Sequence, residues 1–164
     1  MRWMDTPMTR RAGEREDLMS LCSVFAGGRL FGLETRYIRE VLGKRTLAPV
    51  PLAPAYISGV VPYRGEVLTA VHLGAVLRQP QRGAVGCVLI LDCEESEERF
   101  GLVVDKVGAV ATFERAQLAA NPSTLDEAGR ALFDGAFQMA DGLMVRLMPE
   151  RLSPVRLAEM ERPA

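Results

Sequence analysis

The sequence has little of what most catalytic and metal-binding sites need. It contains one histidine, His72, and three cysteines in 164 residues, and no two cysteines have CxxC spacing. No Walker loop, GxGxxG, HExxH or GxSxG motif occurs. A zinc site made by Cys22, Cys87 and Cys93 with His72 is allowed by count alone, but the closely paired ligands typical of such sites are absent. We therefore predict no enzyme activity, no catalytic residues, no metal and no cofactor.

Charge of one sign and long apolar runs are also missing. The 20 basic and 21 acidic residues give a formal net charge of −1, so no field of one sign is present to attract nucleic acid or an anionic membrane. No apolar run approaches the roughly 20 residues of a membrane-spanning helix. The first residues lack the apolar block of a secretory signal, and unpaired cysteines are typical of a reducing compartment. We expect a cytoplasmic protein.

The sequence does contain many short apolar runs separated by turn residues. "LCSVF" and "RLFGLE" flank an Ala-Gly-Gly turn at residues 26–28, which is typical of a β-hairpin. Thr35 as an N-cap and Gly43 as a stop then predict a short helix over residues 36–42. "YISGVV" and "EVLTAVHL" predict two further strands, and residues 74–77 predict a turn or short helix.

The second half of the chain has the same character. "CVLILDC" at residues 87–93 predicts a buried strand. Residues 100–113 are too long for one flat strand, so a bend or bulge is expected at Gly108. Residues 121–130 are predicted to form a loop.

Two signals near the C-terminus predict a hairpin and a helix. Asp-Gly at residues 141–142 is a strong hairpin turn. Ser153 and Pro154 are typical of an N-cap and a first helical position, and they predict a helix through Met160. About ten strands with two or three short helices indicate an all-β barrel architecture. That number exceeds one small barrel, so we expect two small barrels packed together.

The predicted domain organisation is a tail followed by one domain. Residues 1–17 mix charges of both signs without an apolar stripe and are predicted to be a flexible N-terminal tail. Trp3 is the one feature that favours a segment ordered by a partner. Residues 18–164 are predicted to be a single domain of two barrel subdomains, with the crossover near residues 78–86.

Arg64 is the most unusual single residue. It is the only basic residue between Arg45 and Arg78, and it lies where two apolar strands meet. The plain interpretation is a solvated turn arginine. The alternative is a partner contact, because a guanidinium can bridge carbonyls and carboxylates while its stem packs on apolar neighbours. Gly65 allows a tight turn, and Glu40 is a candidate ion-pair partner for Arg64.

Four motifs follow one another along residues 21–158. They are "FGLETRYIREVL", "APVPLAPAYISGVVPYRGEVLTAVHL", "FGLVVDKVGAV" and "DGLMVRL". Their order resembles the CheW-like family of chemotaxis coupling proteins. That family usually carries Gly-Val-x-Asn-Leu-Arg-Gly before an apolar strand ending in Asp-Leu, and Gly59, Arg64, Gly65 and Leu73 match this pattern.

Two departures from the family pattern lie close to this match. Pro62 and Tyr63 replace the usual Asn-Leu, and His72 stands where Asp is common. The first departure lies beside the expected partner surface. It leaves open whether the protein serves the main chemotaxis array or a divergent chemosensory pathway.

The resemblance implies two five-stranded barrels with a groove between them, and a non-catalytic adaptor function. The implied partners are the helical tip of a methyl-accepting chemoreceptor and the regulatory domain of a sensor histidine kinase of the CheA type, without nucleic acid or membrane insertion. One alternative is a stand-alone regulatory module of a divergent chemosensory pathway with other partners. Another is a small-barrel enzyme or ligand carrier. The expected partner-binding residues are Glu40, Val41, Gly59, Arg64, Gly65 and Val67.

Overall fold

A computed structural model describes residues 17–79, 86–94, 96–121, 127–140 and 142–161. The predicted tail at residues 1–17 lies outside the described residues except for Asp17. The Asp17 carbonyl accepts the backbone N–H of Arg115 at 2.7 Å.

Strands make up most of the described chain, and the helices are short. The strands are β1 (Leu18–Ala26), β2 (Arg29–Glu34), β3 (Ile38–Arg45), β4 (Ile57–Tyr63), β5 (Glu66–His72), β6 (Gly86–Cys93), β7 (Glu98–Val104), β8 (Lys106–Glu114), β9 (Phe133–Met139) and β10 (Gly142–Leu147). The helices are α1 (Leu73–Val76), α2 (Glu127–Leu132), α3 (Pro149–Leu152) and α4 (Pro154–Glu161), with single 3₁₀ turns at Thr35–Tyr37 and Arg115–Gln117. The predicted all-β class is confirmed.

The strands form two five-stranded sheets with equivalent strand neighbours, although the chain passes through the two sheets in a different order. The first barrel has the strand order β8-β1-β2-β10-β9, and the second barrel has the order β3-β6-β7-β5-β4. Each contains one parallel pair, β2 with β10 in the first and β5 with β7 in the second. The other neighbouring strands are antiparallel. The expected pair of small five-stranded barrels is therefore confirmed.

Along the described chain, the polypeptide changes barrel at two places. It passes from β2 to β3 through the turn Thr35–Tyr37, and it returns to the first barrel at Asp105, between β7 and β8. The predicted crossover near residues 78–86 is wrong, because that segment follows β5 and α1 and precedes β6, and both strands lie in the second barrel. Long-range strand pairing, which the local composition does not reveal, decides which sheet each flanking strand joins.

The pattern of strand neighbours that the two sheets share has a counterpart in the sequence. Phe-Gly-Leu occurs around Gly32 in β2 and again around Gly101 in β7. Gly32 is in register with Arg146 of the parallel strand, and Gly101 is in register with Ala70. A Cβ atom on Gly32 would lie 2.6 Å from the Met144 Sδ atom, and one on Gly101 would lie 3.3 Å from the Ala70 Cβ atom. Close packing inside each barrel therefore favours glycine at this position.

The apolar core of the described residues has three parts. The largest lies between the barrels and includes Phe31 of the first and Leu89 and Phe100 of the second. Smaller clusters fill the barrels themselves: Met19, Leu21, Phe137 and Met144 in the first, and Val61, Tyr63, Leu68, Ala70, Val88, Ile90 and Val103 in the second. Because β6 contributes to two clusters, it is buried on both faces, as predicted for "CVLILDC".

The predicted helix over residues 36–42 is wrong. Thr35–Tyr37 forms one 3₁₀ turn, and β3 then begins at Ile38 and pairs with β6. Gly43 does not end a helix. Its φ of +73° lies at a register shift, where β3 carries an extra residue opposite β6. Pairing with a buried strand thus outweighs the helical spacing of the apolar residues.

The long apolar run at residues 100–113 is interrupted as expected, but at two points. Asp105 separates β7 from β8, which belong to different barrels. β8 also contains a bulge, because Val107 and Val110 pair with β1 residues that are only two apart. This bulge includes Gly108, so the prediction located the irregularity and missed the change of barrel.

The C-terminal predictions are largely confirmed. β9 and β10 form the expected antiparallel hairpin, although Asp141 at its turn lies outside the described residues. The Ser153 Oγ atom accepts the Arg156 backbone N–H at 3.2 Å and so caps α4. Of the loop predicted at residues 121–130, residues 127–130 belong to α2, and residues 122–126 lie outside the described residues.

Candidate functional site

Arg64 lies at the tip of the β4–β5 hairpin. Tyr63 and Glu66 are the last register pair, so Arg64 and Gly65 form a two-residue turn. Their φ angles are +46° and +81°, the combination that tight hairpin turns of this kind require. Gly65 adopts such angles easily, whereas an arginine at positive φ is uncommon. The turn therefore places a charged side chain where asparagine or glycine is usual.

The Arg64 side chain projects into solvent and touches the other edge of its own sheet. It is 74% exposed, and its Nη2 atom lies 3.4 Å from Oε1 of Glu40. The guanidinium also lies over the Tyr63 ring, 5.2 Å from the ring centre. Glu40 was expected on a helix, but it lies on β3, which is the opposite edge strand of the second barrel. The pair thus connects the two edges, and its exposure limits its contribution to about 1 kcal/mol or less.

Two exposed valines lie close in sequence to the members of this ion pair. Val41 on β3 is 46% exposed and Val67 on β5 is 70% exposed. Their neighbours Val60 and Val61 on β4 are half-buried and fully buried, respectively. We call Glu40, Val41, Arg64, Gly65 and Val67 the Arg64 surface. It combines one cation, one anion and exposed apolar groups on the β4–β5 hairpin and the β3 strand.

Gly59 lies beneath the connector that leads to β4, and it is buried. Val60 donates its N–H to the Ala48 carbonyl at 2.9 Å, so the connector closes the barrel against β4. A Cβ atom on Gly59 would collide with the Ala48 carbonyl oxygen, and the φ of Gly59 is +148°. Glycine is therefore required for this close backbone approach. Gly59 is thus buried against the connector, and its expected contact with a partner stays a prediction.

Ion pairs extend from the Arg64 turn across the second barrel. Arg99 on β7 contacts Glu66 on β5 at 2.9 Å and Asp92 on β6 at 3.3 Å. Asp92 also accepts a bond from Arg39 Nε on β3 at 2.9 Å. The sequence prediction missed this arrangement. The signal was the register of the β6–β7 hairpin, because Asp92 and Arg99 are directly opposite each other.

His72 has a structural role. Its Nδ1 atom accepts the Ala75 backbone N–H at 3.1 Å, which caps the first turn of α1. Burial lowers the pKa of His72, and the charge of Asp105 partly opposes this effect. The neutral imidazole provides the acceptor that an aspartate provides at other helix N-termini. The departure from the family's usual Asp therefore preserves the cap.

A buried ion pair lies where the chain crosses from β2 to β3. Arg146 on β10 donates to the Glu34 carboxylate and to Asp134 Oδ2, the latter at 2.9 Å. Arg36 Nε binds the other Glu34 oxygen at 2.7 Å. Burial, with a further contribution from the charge of Glu150, raises the pKa of Tyr37 to about 12, so this hydroxyl stays protonated near neutral pH. The network ties β10 to the first barrel crossing.

The chain is similar to known proteins over most of its length. The family model of the CheW-like domain matches residues 20–154. This chain belongs to the CheW-like family. The chemotaxis protein CheW of Treponema pallidum is 20% identical over 138 residues, covering 80% of each chain. The chemotaxis protein CheW of Rhizobium meliloti is 27% identical over 122 residues, covering 74% of this chain and 78% of its own.

A solved structure shares the fold. The crystal structure of the scaffolding protein TtCheW from Thermoanaerobacter tengcongensis superposes with a TM-score of 0.70 at 19% identity. The match covers 79% of this chain and 88% of that protein. Two barrels arranged in this way are thus a shared CheW-like property. In the part of the chain that the structure describes, no helix is long and apolar enough to span a membrane.

Proposed function

We propose that this CheW-like protein is a non-catalytic adaptor that couples the cytoplasmic tips of chemoreceptors to a sensor histidine kinase of the CheA type. It binds at least one of these partners through the Arg64 surface. The relatives that it matches are chemotaxis proteins, and the protein with the similar structure is a scaffolding protein. A scaffold acts by presenting surfaces, and therefore its binding residues must be exposed.

The observation that carries the proposal is the exposed guanidinium of Arg64 at the tip of the β4–β5 hairpin. Its ion pair with Glu40 is long and exposed, so exchanging it for a partner carboxylate costs little. The planar guanidinium can form two parallel hydrogen bonds with that carboxylate. Val41, next to Glu40 on β3, and Val67, on the β5 strand that follows the turn, add exposed apolar area to the same barrel. The expected contact on the partner is thus an acidic group next to apolar side chains.

A regulatory module of a divergent chemosensory pathway is the second candidate. Of the two residues that depart from the family pattern beside Arg64, Tyr63 is buried in the second barrel and Pro62 is exposed. The departure therefore changes the presented surface at Pro62 only. This favours an altered choice among related partners over a different kind of function.

The test is affinity capture from the protein's own cells. Tagged wild-type protein is expected to recover a histidine kinase and chemoreceptors, which mass spectrometry identifies. Arg64→Glu should lower the recovery of at least one of them. Arg156→Glu is the matched control, because Arg156 is also exposed and paired with one exposed carboxylate, Glu159, at 3.3 Å. Failure to recover either partner class, or equal losses in both variants, would contradict the proposal.

A further inference from the structure

Four charged side chains form a ladder across the second barrel that ends beside the Arg64 turn. Arg39, Asp92, Arg99 and Glu66 lie on β3, β6, β7 and β5, which are consecutive neighbours in the sheet. The contacts along this ladder are 2.9, 3.3 and 2.9 Å. The ladder alternates in sign and uses both carboxylates and both guanidinium groups. Glu66, at its end, is therefore held by Arg99.

Glu66 lies on the same face as the Arg64 guanidinium. Tyr63 and Glu66 are direct cross-strand partners, so their side chains project to the same side of the hairpin. The Arg64 guanidinium lies over the Tyr63 ring. A Glu66 carboxylate that was not held by Arg99 would thus be close to Arg64 and would compete with an acidic partner for it.

We propose that Arg99 is a positioning residue for partner binding: it holds Glu66 so that the Arg64 guanidinium stays available to an acidic group on the partner. The inference rests on the proposed role of Arg64. Arg99 itself acts within the protein, through the 2.9 Å contact with Glu66 and the 3.3 Å contact with Asp92. The sheet fixes this arrangement, because Arg99 and Asp92 are opposite each other in the β6–β7 hairpin.

The effect of Arg99 is measurable as a change in affinity. An exposed ion pair changes an equilibrium by up to about fivefold. Arg99→Met, which keeps the apolar stem, is therefore expected to weaken binding to the purified regulatory domain of the captured kinase by two- to fivefold. Arg99→Met combined with Glu66→Gln removes the competing charge as well, and should bind as tightly as Glu66→Gln alone. Isothermal calorimetry measures all three variants.

Arg39→Met is the matched control. Arg39 binds the same Asp92 oxygen but does not touch Glu66, so this variant should keep wild-type affinity. Equal affinities of Arg99→Met and the wild type would overturn the proposal. Equal losses in the single and double variants would also overturn it, because Arg99 would then contact the partner directly. If Arg64→Ala leaves binding unchanged, the proposed function fails first and independently.

A measurement without a partner completes the test. In the free protein, the Arg64 Nε–H resonance depends on which carboxylate its guanidinium contacts, and in the wild type this is Glu40. Arg99→Met should shift this resonance, and adding Glu66→Gln should restore it. An unchanged resonance in Arg99→Met would overturn the competition mechanism whatever the binding data show. Thermal melts of each variant establish that the fold is intact.

Discussion

Replacing Arg146 with methionine is expected to destabilise the protein strongly. The Arg146 and Glu34 side chains are only 7% and 6% exposed. Removing one member of such a pair leaves an uncompensated buried charge, which typically costs about 3–5 kcal/mol. Arg36 still binds the second Glu34 oxygen at 2.7 Å, so the lower end of that range, about 3 kcal/mol, is expected. A domain of this size should then melt about 6–12 °C lower.

The double variant Glu34→Leu with Arg146→Met separates the charge from the packing. By strand register, Arg146 and Glu34 of the first barrel correspond to Ala70 and Val103 of the second, which are buried and apolar. The equivalent strand pairing of the second barrel therefore forms without ions at these positions. Replacing a buried ion pair with apolar side chains of similar volume is often neutral or stabilising, so the double variant should recover most of the loss.

Urea unfolding followed by circular dichroism provides the free energies for this cycle. If Arg146→Met lowered the free energy of unfolding by less than about 1 kcal/mol, the Arg146–Glu34 pair would behave like an exposed ion pair and not like a buried one. The single variant Glu34→Leu completes the cycle. If the loss in the double variant equalled the sum of the losses in Glu34→Leu and Arg146→Met, the two side chains would not interact.

Two further predictions concern single residues. The folded pKa of His72 lies below its unfolded value of 6.5, so the unfolded state binds more protons. The stability due to the cap is therefore present above pH 6.5 and is lost as the pH falls towards the folded pKa. His72→Asn keeps an acceptor that does not titrate, and urea unfolding at pH 7.5 and 5.5 should show a smaller loss than in the wild type; equal losses would contradict the cap. Gly59→Ala should destabilise the protein more than Gly28→Ala. Both glycines have positive φ, but only a Cβ atom at position 59 would meet the Ala48 carbonyl. Equal shifts in melting temperature would show that the close approach of Gly59 to Ala48 is unimportant.

Most strands could be predicted because turn residues and apolar runs are local signals. The hairpin tip at residues 26–28, the buried strand at residues 87–93 and the Ser153 cap all depend on a few neighbouring residues. The resemblance supplied the pair of five-stranded barrels. The β3 strand was missed because its apolar spacing also fits a helix, and only pairing with β6 decides between the two.

The site was partly predictable for the same reason. Arg64 was visible as the one cation in a long apolar region, and Glu40 as its ion-pair partner. The contact of Arg99 with Glu66 and the Arg146–Glu34 pair were not visible, because each joins strands whose neighbours are set by the whole sheet. The repeat of Phe-Gly-Leu around Gly32 and Gly101 was a usable signal for the matching barrels.

Two measurements on Arg64→Ala decide whether Arg64 binds a partner. Truncating an interface hot spot costs about 2 kcal/mol, or roughly thirtyfold in affinity. Calorimetry with the kinase regulatory domain and with the receptor fragment should show a loss of this size for at least one partner. Because the side chain is exposed, the melting temperature should stay within a few degrees of the wild type. Unchanged affinity for both partners, or a loss of affinity that only follows unfolding, would mean that Arg64 does not bind a partner.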